Sequence, residues 1–348
     1  MRVVQIERAD GTRSVGVVVS DDKVVDVTAA RPEWKRVLDV FAAARRDGRR
    51  MSELLHEAAS DENAVSLWYR KLLGAAPKES TAWLRAPIDH ADPHRVLVTG
   101  TGLTHVGGMK SRDQMHADAA ASAAPQTDSA KMFAMGIEGG KPPEGGRGAA
   151  PEWFYKGSGA HLRGPNEPIE LPAFALDGGE EPELAGVYAV DDGGRPWRLG
   201  FVLANEWSDH ATEKINYLYL APSKLRTAAI GPELVLDHPF QEVRLRVTVT
   251  RAGETIYDSG ELFSGEGAMC HSLANCEDHH FKYPQHRVPG DVHVHFFGTS
   301  KLSYSTRTWK YQPGDVVRIE APGFCAPLVN TVVAGDAVLG KPVRVPQA

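Results

Sequence analysis

Two acidic residues two positions apart, Glu181 and Glu183, open the apolar run 184–190. Alternate residues of a strand share a face, so this spacing sets two carboxylates side by side. Like charges at that range are unfavourable, and a hard cation with oxygen ligands relieves them. A solvated acidic loop after Asp177-Gly178-Gly179-Glu180 is the plainer alternative. A second apolar run, Gly200-Phe201-Val202-Leu203-Ala204, ends in Asn205-Glu206, with Ser208, Asp209 and His210 just beyond. A carboxylate in that position can face a cavity or cap the next element. Lys156 sits among aromatic residues in Phe154-Tyr155-Lys156-Gly157, where it can snorkel to water or serve as a partly buried amine. His105 ends the glycine loop Thr99-Gly100-Thr101-Gly102-Leu103-Thr104, a segment that lets a ligand approach the backbone. That loop lacks the third glycine of a dinucleotide fingerprint. His293 and His295 share a strand face and could chelate zinc, with His279-His280 nearby in sequence. No third nitrogen or sulfur ligand stands at a telling spacing, so the carboxylates are the better metal candidates.

The elements that must position these groups read mainly as strands. Val3, Val4 and Ile6, then Val15, Val17 and Val19, then Val24, Val25 and Val27 alternate as a small antiparallel meander. Residues 34–75 change period and fit helices through Val37, Leu38, Val40, Phe41, Leu54, Leu55, Leu67, Leu72 and Leu73. Pro77, Pro87 and Pro93 mark a linker. From Val96 onward, β-like runs recur at 96–99, 184–190, 198–204, 242–251, 292–297 and 316–320. Helical signal is confined to 109–123 and 264–276, and the Gly/Pro-rich stretch 136–150 reads as a lid-like loop. The expected division is a small N-terminal domain and linker over 1–94 and a larger, mainly β domain over 95–348.

In order along the chain stand Phe154-x-Lys156, Glu181-x-Glu183-Leu184, Gly200-Phe201-x-x-x-Asn205-Glu206, Gly231-Pro232, Pro289-Gly290-Asp291-Val292, Gly298-Thr299, Pro313-Gly314-Asp315-Val316-Val317 and Asn330-Thr331-Val332. This ordered set resembles the fumarylacetoacetate hydrolase family over most of residues 95–335. The resemblance implies an α+β, mainly β fold: a small mixed N-terminal domain and a mixed β-sandwich roll. It implies Mg²⁺, or Mn²⁺ or Ca²⁺, held by Glu181, Glu183 and Glu206. Lys156 would be the catalytic base, or the cation balancing an enolate. Gly298 and Thr299 would bind the substrate carboxylate, with Lys224, Ser208 and His210 as further substrate contacts. Three positions depart from the family pattern. Glu206 stands where aspartate is usual, His210 where arginine is common, and Gly108 where hydrolytic members carry the glutamate of a water-activating dyad with the histidine at His105. Asp113 or Gln114 could swing in from 109–123.

Asn205-Glu206-x-Ser208-Asp209-His210 with Tyr217-Leu218-Tyr219-Leu220 is most similar to the sugar-acid branch of that family. The expected reaction is then dehydration of a 2-keto-3-deoxy-pentonate, such as the D-arabinonate form, to 2,5-dioxopentanoate. His105, or an acid on 109–123, would protonate the leaving hydroxyl. A hydrolase of 2,4-dioxo acids, an oxaloacetate-type decarboxylase or tautomerase, and a non-catalytic sugar-acid binder remain the alternatives. Net charge is -6 over 348 residues, which argues against a nucleic-acid partner. No apolar run is long enough for a transmembrane helix, and the charged N-terminal stretch does not read as a signal peptide. Cys270, Cys276 and Cys325 are too few for a disulfide framework. A cytoplasmic enzyme is expected, acting on a small 2-oxo acid and assembling, as relatives often do, as a homodimer.

Overall fold

The computed structural model describes residues 1–108 and 127–348. The helix expected at 109–123, with Asp113 and Gln114, lies outside the described residues. The N-terminal meander forms as β1 (Arg2–Arg8), β2 (Arg13–Val18) and β3 (Lys23–Asp26). Its first turn is set by Gly11 at φ +80 and by the Asp10 carboxylate, which accepts from the Thr12 amide and hydroxyl. The helices Val37–Asp47 and Met51–Ala59 bury Val37, Val40, Phe41, Leu54 and Leu55 against this sheet. Leu67, expected on a helix, lies on β4 (Val65–Trp68), where pairing with β3 supplies the backbone bonds; the helix Tyr69–Leu73 follows. β5 (Ala82–Arg85) pairs with β1.

The remaining strands are β6 (Val96–Gly102), β7 (Glu152–Ser158), β8 (Leu162–Arg163), β9 (Ile169–Leu171), β10 (Pro182–Val190), β11 (Pro196–Asn205), β12 (Ala228–Val235), β13 (Val243–Arg251), β14 (Glu254–Asp258), β15 (Leu262–Ser264), β16 (Val292–Phe296), β17 (Val316–Glu320) and β18 (Leu328–Ala334). A 12-stranded sheet runs β4-β3-β2-β1-β12-β11-β10-β16-β6-β7, with β5 on β1 and β8 on β12. The division expected at residue 94 falls between β5 and β6, and the sheet continues across it through β1 and β12. A 6-stranded sheet runs β14-β13-β17-β18-β9, with β15 on β13. The fold is thus α+β and mainly β, as the resemblance implied.

β10 is buried along its whole length because both of its faces carry a core. Leu184, Tyr188, Phe201 and Leu203 face the second sheet, against Leu245, Val247 and Val249 of β13 and against Val317, Ile319 and Leu328. Ala185, Val187 and Ala189 face the other way, with Val294, Phe296 and the N-terminal helices. By the pleat, Glu183 shares that second face at the open end of the strand.

Two expectations in the second half are corrected. The helix expected at 264–276 is displaced: Glu266–Ala268 is one short turn, and the helix proper is Leu273–Phe281, capped by the Ser272 hydroxyl on the Asn275 amide. The Gly/Pro-rich loop begins only after the helix Asp128–Gly139, whose N-terminus is capped by Thr127.

Candidate metal and substrate site

β10 and β11 pair antiparallel with Pro182 opposite Asn205, so the start of one strand meets the end of the next. The Glu206 amide then donates to the Glu181 carbonyl at 3.0 Å. This register brings Glu181, Glu183 and Glu206 together, with one carboxylate oxygen of each within 4.8 Å of the others, all buried. β16 runs parallel to β6, so their carboxyl ends lie side by side. Just past the end of β16, the amides of Phe297 and Gly298 donate to Glu183 Oε2 at 2.9 and 2.7 Å. Just past the end of β6 comes the glycine loop with His105.

Lys224 Nζ lies 2.5 Å from Glu181 Oε1 and 2.9 Å from Glu206 Oε1. His210 Nε2 lies 3.0 Å from the same Glu181 oxygen. Burial pushes the Glu181 carboxyl up, but the Lys224 ammonium and the His210 bond outweigh it and hold the group well below its ordinary value. Burial also pushes Glu183 well up, and the charges of Glu206 and Glu181 act in the same direction. Glu206 is raised by burial and by Glu181, against the pull of Lys224 and Lys156. The protein alone therefore supplies too little positive charge for three ionised carboxylates. Glu183 Oε1 is buried with no hydrogen-bond partner among the described residues. An unpartnered carboxylate oxygen and an all-oxygen acidic donor set both fit a hard divalent cation.

A cavity of ≈ 40 Å³ opens on this group, lined by Gly102, Leu103, Thr104, His105, Gly108, Glu181, Glu206, His210, Gly298, Thr299, Leu302, Tyr304 and Ser305. His105 is buried, and desolvation lowers its pKa to about 4, so the ring is neutral at neutral pH. Its tautomer follows from its neighbours. The Thr104 hydroxyl donates its one proton to the Phe297 carbonyl at 2.5 Å, so its oxygen accepts from His105 Nδ1–H at 2.8 Å. His105 Nε2 then carries a lone pair with no partner among the described residues. At rest this geometry makes His105 Nε2 a proton acceptor, so the expected acid role follows only after the ring has taken up a proton. A Cβ at Gly108 would lie 2.5 Å from the Thr299 carbonyl oxygen, so this backbone leaves no room for the glutamate of a hydrolytic dyad.

The other expected residues fall in different places. Lys156 is buried, donates to the carbonyls of Trp207 at 2.5 Å and Lys224 at 3.1 Å, and sits 3.5 Å from Glu206. Burial lowers its pKa to about 8 against the pull of Glu206. Ser208, expected at the substrate, spends its hydroxyl on the carbonyl and carboxylate of Glu206 at 2.9 and 3.1 Å. Lys224 lies between two carboxylates rather than among the cavity-lining residues. Thr299, Gly298 and His210 do line the cavity. His293 and His295 are buried behind it: His295 is held between Thr99 and Thr101 hydroxyls at 2.8 and 2.7 Å, and His293 meets His280 at 2.9 Å. Neither belongs to a metal-ligating group among the described residues. Tyr304, Ser305 and Leu302 were not legible in the sequence, because the polar stretch 302–306 has no periodicity and no motif.

No family model matches the chain. Among curated proteins, a probable 2-keto-3-deoxyxylonate dehydratase from Haloferax volcanii is 27% identical over 179 residues, covering 50% of this chain and 57% of that protein. The match thus spans little more than half the length of that relative. Among solved structures, 2-keto-3-deoxy-D-arabinonate dehydratase complexed with magnesium and 2,5-dioxopentanoate aligns with a TM-score of 0.65 at 17% identity, over 96% of this chain and 99% of that one. Its apo form aligns at 0.66 and 16% identity, over 97% and 100%. A 5-carboxymethyl-2-hydroxymuconate delta-isomerase from Mycobacterium smegmatis aligns at 0.53 and 18% identity, over 96% and 100%. Over nearly its whole length the chain shares the fold of 2-keto-3-deoxy-D-arabinonate dehydratase, the fold to which its resemblance to the fumarylacetoacetate hydrolase family pointed.

Proposed function

We propose that the chain is a divalent-metal-dependent hydro-lyase that dehydrates a 2-keto-3-deoxy sugar acid, a pentonate such as the D-arabinonate form, to 2,5-dioxopentanoate. The observation that carries this reading is the buried convergence of Glu181, Glu183 and Glu206 beside a cavity. The dehydratase relatives support it. Mg²⁺ is the preferred ion, since a structural neighbour of the same fold contains magnesium; Mn²⁺ and Ca²⁺ suit the same oxygen set. When bound, the ion supplies Lewis-acid polarisation of the substrate carboxylate and 2-oxo group.

The chain's own residues do the rest. Thr299 and the backbone at Gly298 border the cavity where the substrate carboxylate enters. His105 Nε2, neutral and without a hydrogen-bond partner among the described residues, takes a proton from carbon 3, and the electron pair moves toward the 2-oxo oxygen. The same imidazolium returns that proton to the carbon 4 hydroxyl, which leaves as water. As the hydroxyl leaves, the enolate pair forms the carbon 3–carbon 4 double bond. A proton transferred from carbon 5 to carbon 3 then gives the enol of the carbon 5 aldehyde, which gains a proton at carbon 4 and loses its hydroxyl proton to become 2,5-dioxopentanoate. A well-placed acid–base group contributes ~10²–10⁴-fold. Lys156 and Lys224 balance the acidic set from the buried side. Gly108 disfavours carbon–carbon hydrolysis, because position 108 itself has no room for the carboxylate of the hydrolytic dyad. The reading includes a homodimer. Trp153, Tyr155, Leu218 and Tyr219 expose apolar surface on and beside edge strand β7, which such an assembly would cover.

The test is a panel of 2-keto-3-deoxy acids, 2,4-dioxo acids and oxaloacetate with Mg²⁺, followed by mass spectrometry. The expected result is one aldehyde product from a 2-keto-3-deoxypentonate and no turnover in a chelator. Two acids from a 2,4-dioxo acid, or CO₂ from oxaloacetate, would replace this reading.

A further inference from the structure

Glu180 precedes the first carboxylate of the site, and successive side chains of an extended segment point to opposite sides. Glu181 turns to the cation site; Glu180 turns away into the protein, fully buried. Both of its oxygens are taken by one segment. Oε1 accepts from the Ser303 amide at 2.7 Å, and Oε2 accepts from the Ser303 hydroxyl and the Tyr311 hydroxyl, each at 2.7 Å. Asp177 ties the same segment, accepting from the Tyr311 amide at 3.2 Å and from Arg307 at 3.0 Å. That segment carries the turn Ser303–Ser305, whose Tyr304 and Ser305 line the cavity beside Leu302. Tyr304 lies with its ring 5.2 Å from that of His210, itself on Glu181. One stretch of backbone therefore sets both a carboxylate of the acidic group and the wall across from it.

Resting on the dehydratase reading, we propose that Glu180 is a positioning residue that acts through Ser303 to hold the Tyr304–Ser305 wall, and that this wall reads the hydroxylated end of the sugar acid. A polyhydroxy acid presents donors and acceptors at carbons 4 and 5 once its 2-oxo carboxylate is fixed. Tyr304 offers a hydroxyl of matching chemistry, and the Ser305 hydroxyl, which donates to the Leu302 carbonyl at 3.1 Å, offers an acceptor. The anchoring bonds touch none of the three carboxylates, and Glu181 keeps its own bonds to Lys224, His210 and the Glu206 amide, so loosening the anchor moves the wall and leaves the cation site.

The test compares Glu180→Ala, Glu180→Gln, Ser303→Ala and Tyr304→Phe with wild type, measuring KM and kcat for the deoxy acid and Mg²⁺ affinity by calorimetry. Glu180→Ala deletes three hydrogen bonds and should raise KM about tenfold or more, with kcat and Mg²⁺ Kd within about threefold of wild type. Glu180→Gln should stay near wild type, because its amide oxygen can accept from the Ser303 amide and its NH₂ can donate to the two hydroxyls. Ser303→Ala removes one bond and should move KM the same way by about threefold, which keeps the idea testable if Glu180→Ala does not fold. Tyr304→Phe should weaken the deoxy acid but not pyruvate, which lacks the hydroxylated tail, read as binding in Mg²⁺. A parallel loss of Mg²⁺ affinity in Glu180→Ala, a pure kcat effect, or equal weakening of pyruvate would overturn the proposal. A wild type that binds Mg²⁺ but dehydrates no deoxy acid would overturn the dehydratase reading instead, and the pyruvate and deoxy acid binding comparison would still judge the wall.

Discussion

Lys224 carries the positive charge in closest contact with the acidic group, bridging Glu181 and Glu206 and lying 4.7 Å over the Phe154 ring. A buried ion pair is strongly destabilised when one partner is removed, because the remaining charge stays desolvated. Lys224→Met should lower the stability of the cation-free protein by about 3 kcal/mol. A bound divalent cation replaces that lost charge and stabilises the folded state by mass action. Saturating Mg²⁺ should therefore raise the melting temperature of Lys224→Met more than that of wild type, compared in chelator and in Mg²⁺. Equal shifts in the two proteins would show that Lys224 and the cation do not share the same carboxylates. The lysine's residue type was readable beforehand, but its place was not: the family resemblance put it near substrate, and folding put it between two carboxylates.

At the scale of elements, the carboxyl end of β16 decides how Glu183 is held. The chain leaves the strand through Phe297 and Gly298, whose amides both point at Glu183 Oε2. Gly298 achieves this at φ +89, and a Cβ there would meet Thr104 Oγ1 at 2.4 Å. Thr104 in turn orients His105. Gly298→Ala should therefore cost at least about 1 kcal/mol of stability from the left-handed backbone alone. It should also weaken Mg²⁺ binding severalfold by turning one amide away from Glu183. Urea unfolding and Mg²⁺ calorimetry check the two halves, and an unchanged Mg²⁺ affinity would detach this amide pair from the cation site.

At the scale of the whole molecule, a cluster of buried histidines behind the site gives the described residues a built-in pH sensitivity. His280 meets His286, His293 and His295 with ring centroids 4.6, 4.9 and 4.7 Å apart, and Trp153 donates to its Nδ1 at 3.2 Å. Burial, with repulsion from neighbouring histidines, lowers His293 and His295 to about 3 and pushes His280 down as well. Burial alone holds His105 to about 4. These groups hold fewer protons folded than unfolded once the pH drops below their ordinary value of 6.5. Their contribution is fully present above pH ~6.5 and is lost as pH falls toward about 3, at up to about 1.4 kcal/mol per pH unit for each group. Urea midpoints should therefore drop steeply from pH 7 to pH 5, before carboxylates of ordinary pKa protonate. A flat profile over that interval would mean the cluster is protonated or solvated in the folded protein.

Much of this was legible because it is local. Strict alternation and continuous apolar runs fixed β6, β10, β11, β13, β16 and β17 near their observed limits, since burial on a pleated strand repeats every second residue. The Glu181-x-Glu183 spacing and the ordered motifs likewise needed no contacts between distant residues to be read. Several elements escaped, β7, β12, β14, β18 and the helix Asp128–Gly139 among them. β4 and the displaced helix Leu273–Phe281 did so because they are short or weakly periodic and take their conformation from partners such as β3. What only the tertiary structure decided is how the pieces meet. The β10–β11 register brought Glu206 to Glu181, and the parallel β6–β16 pairing set His105 beside Gly298 and Thr299. Glu180 fastened Ser303 and Tyr311 from more than a hundred residues away. Register and pairing arise from side chains far apart in sequence, so residue order supplied the carboxylates and the packing of two sheets brought them together.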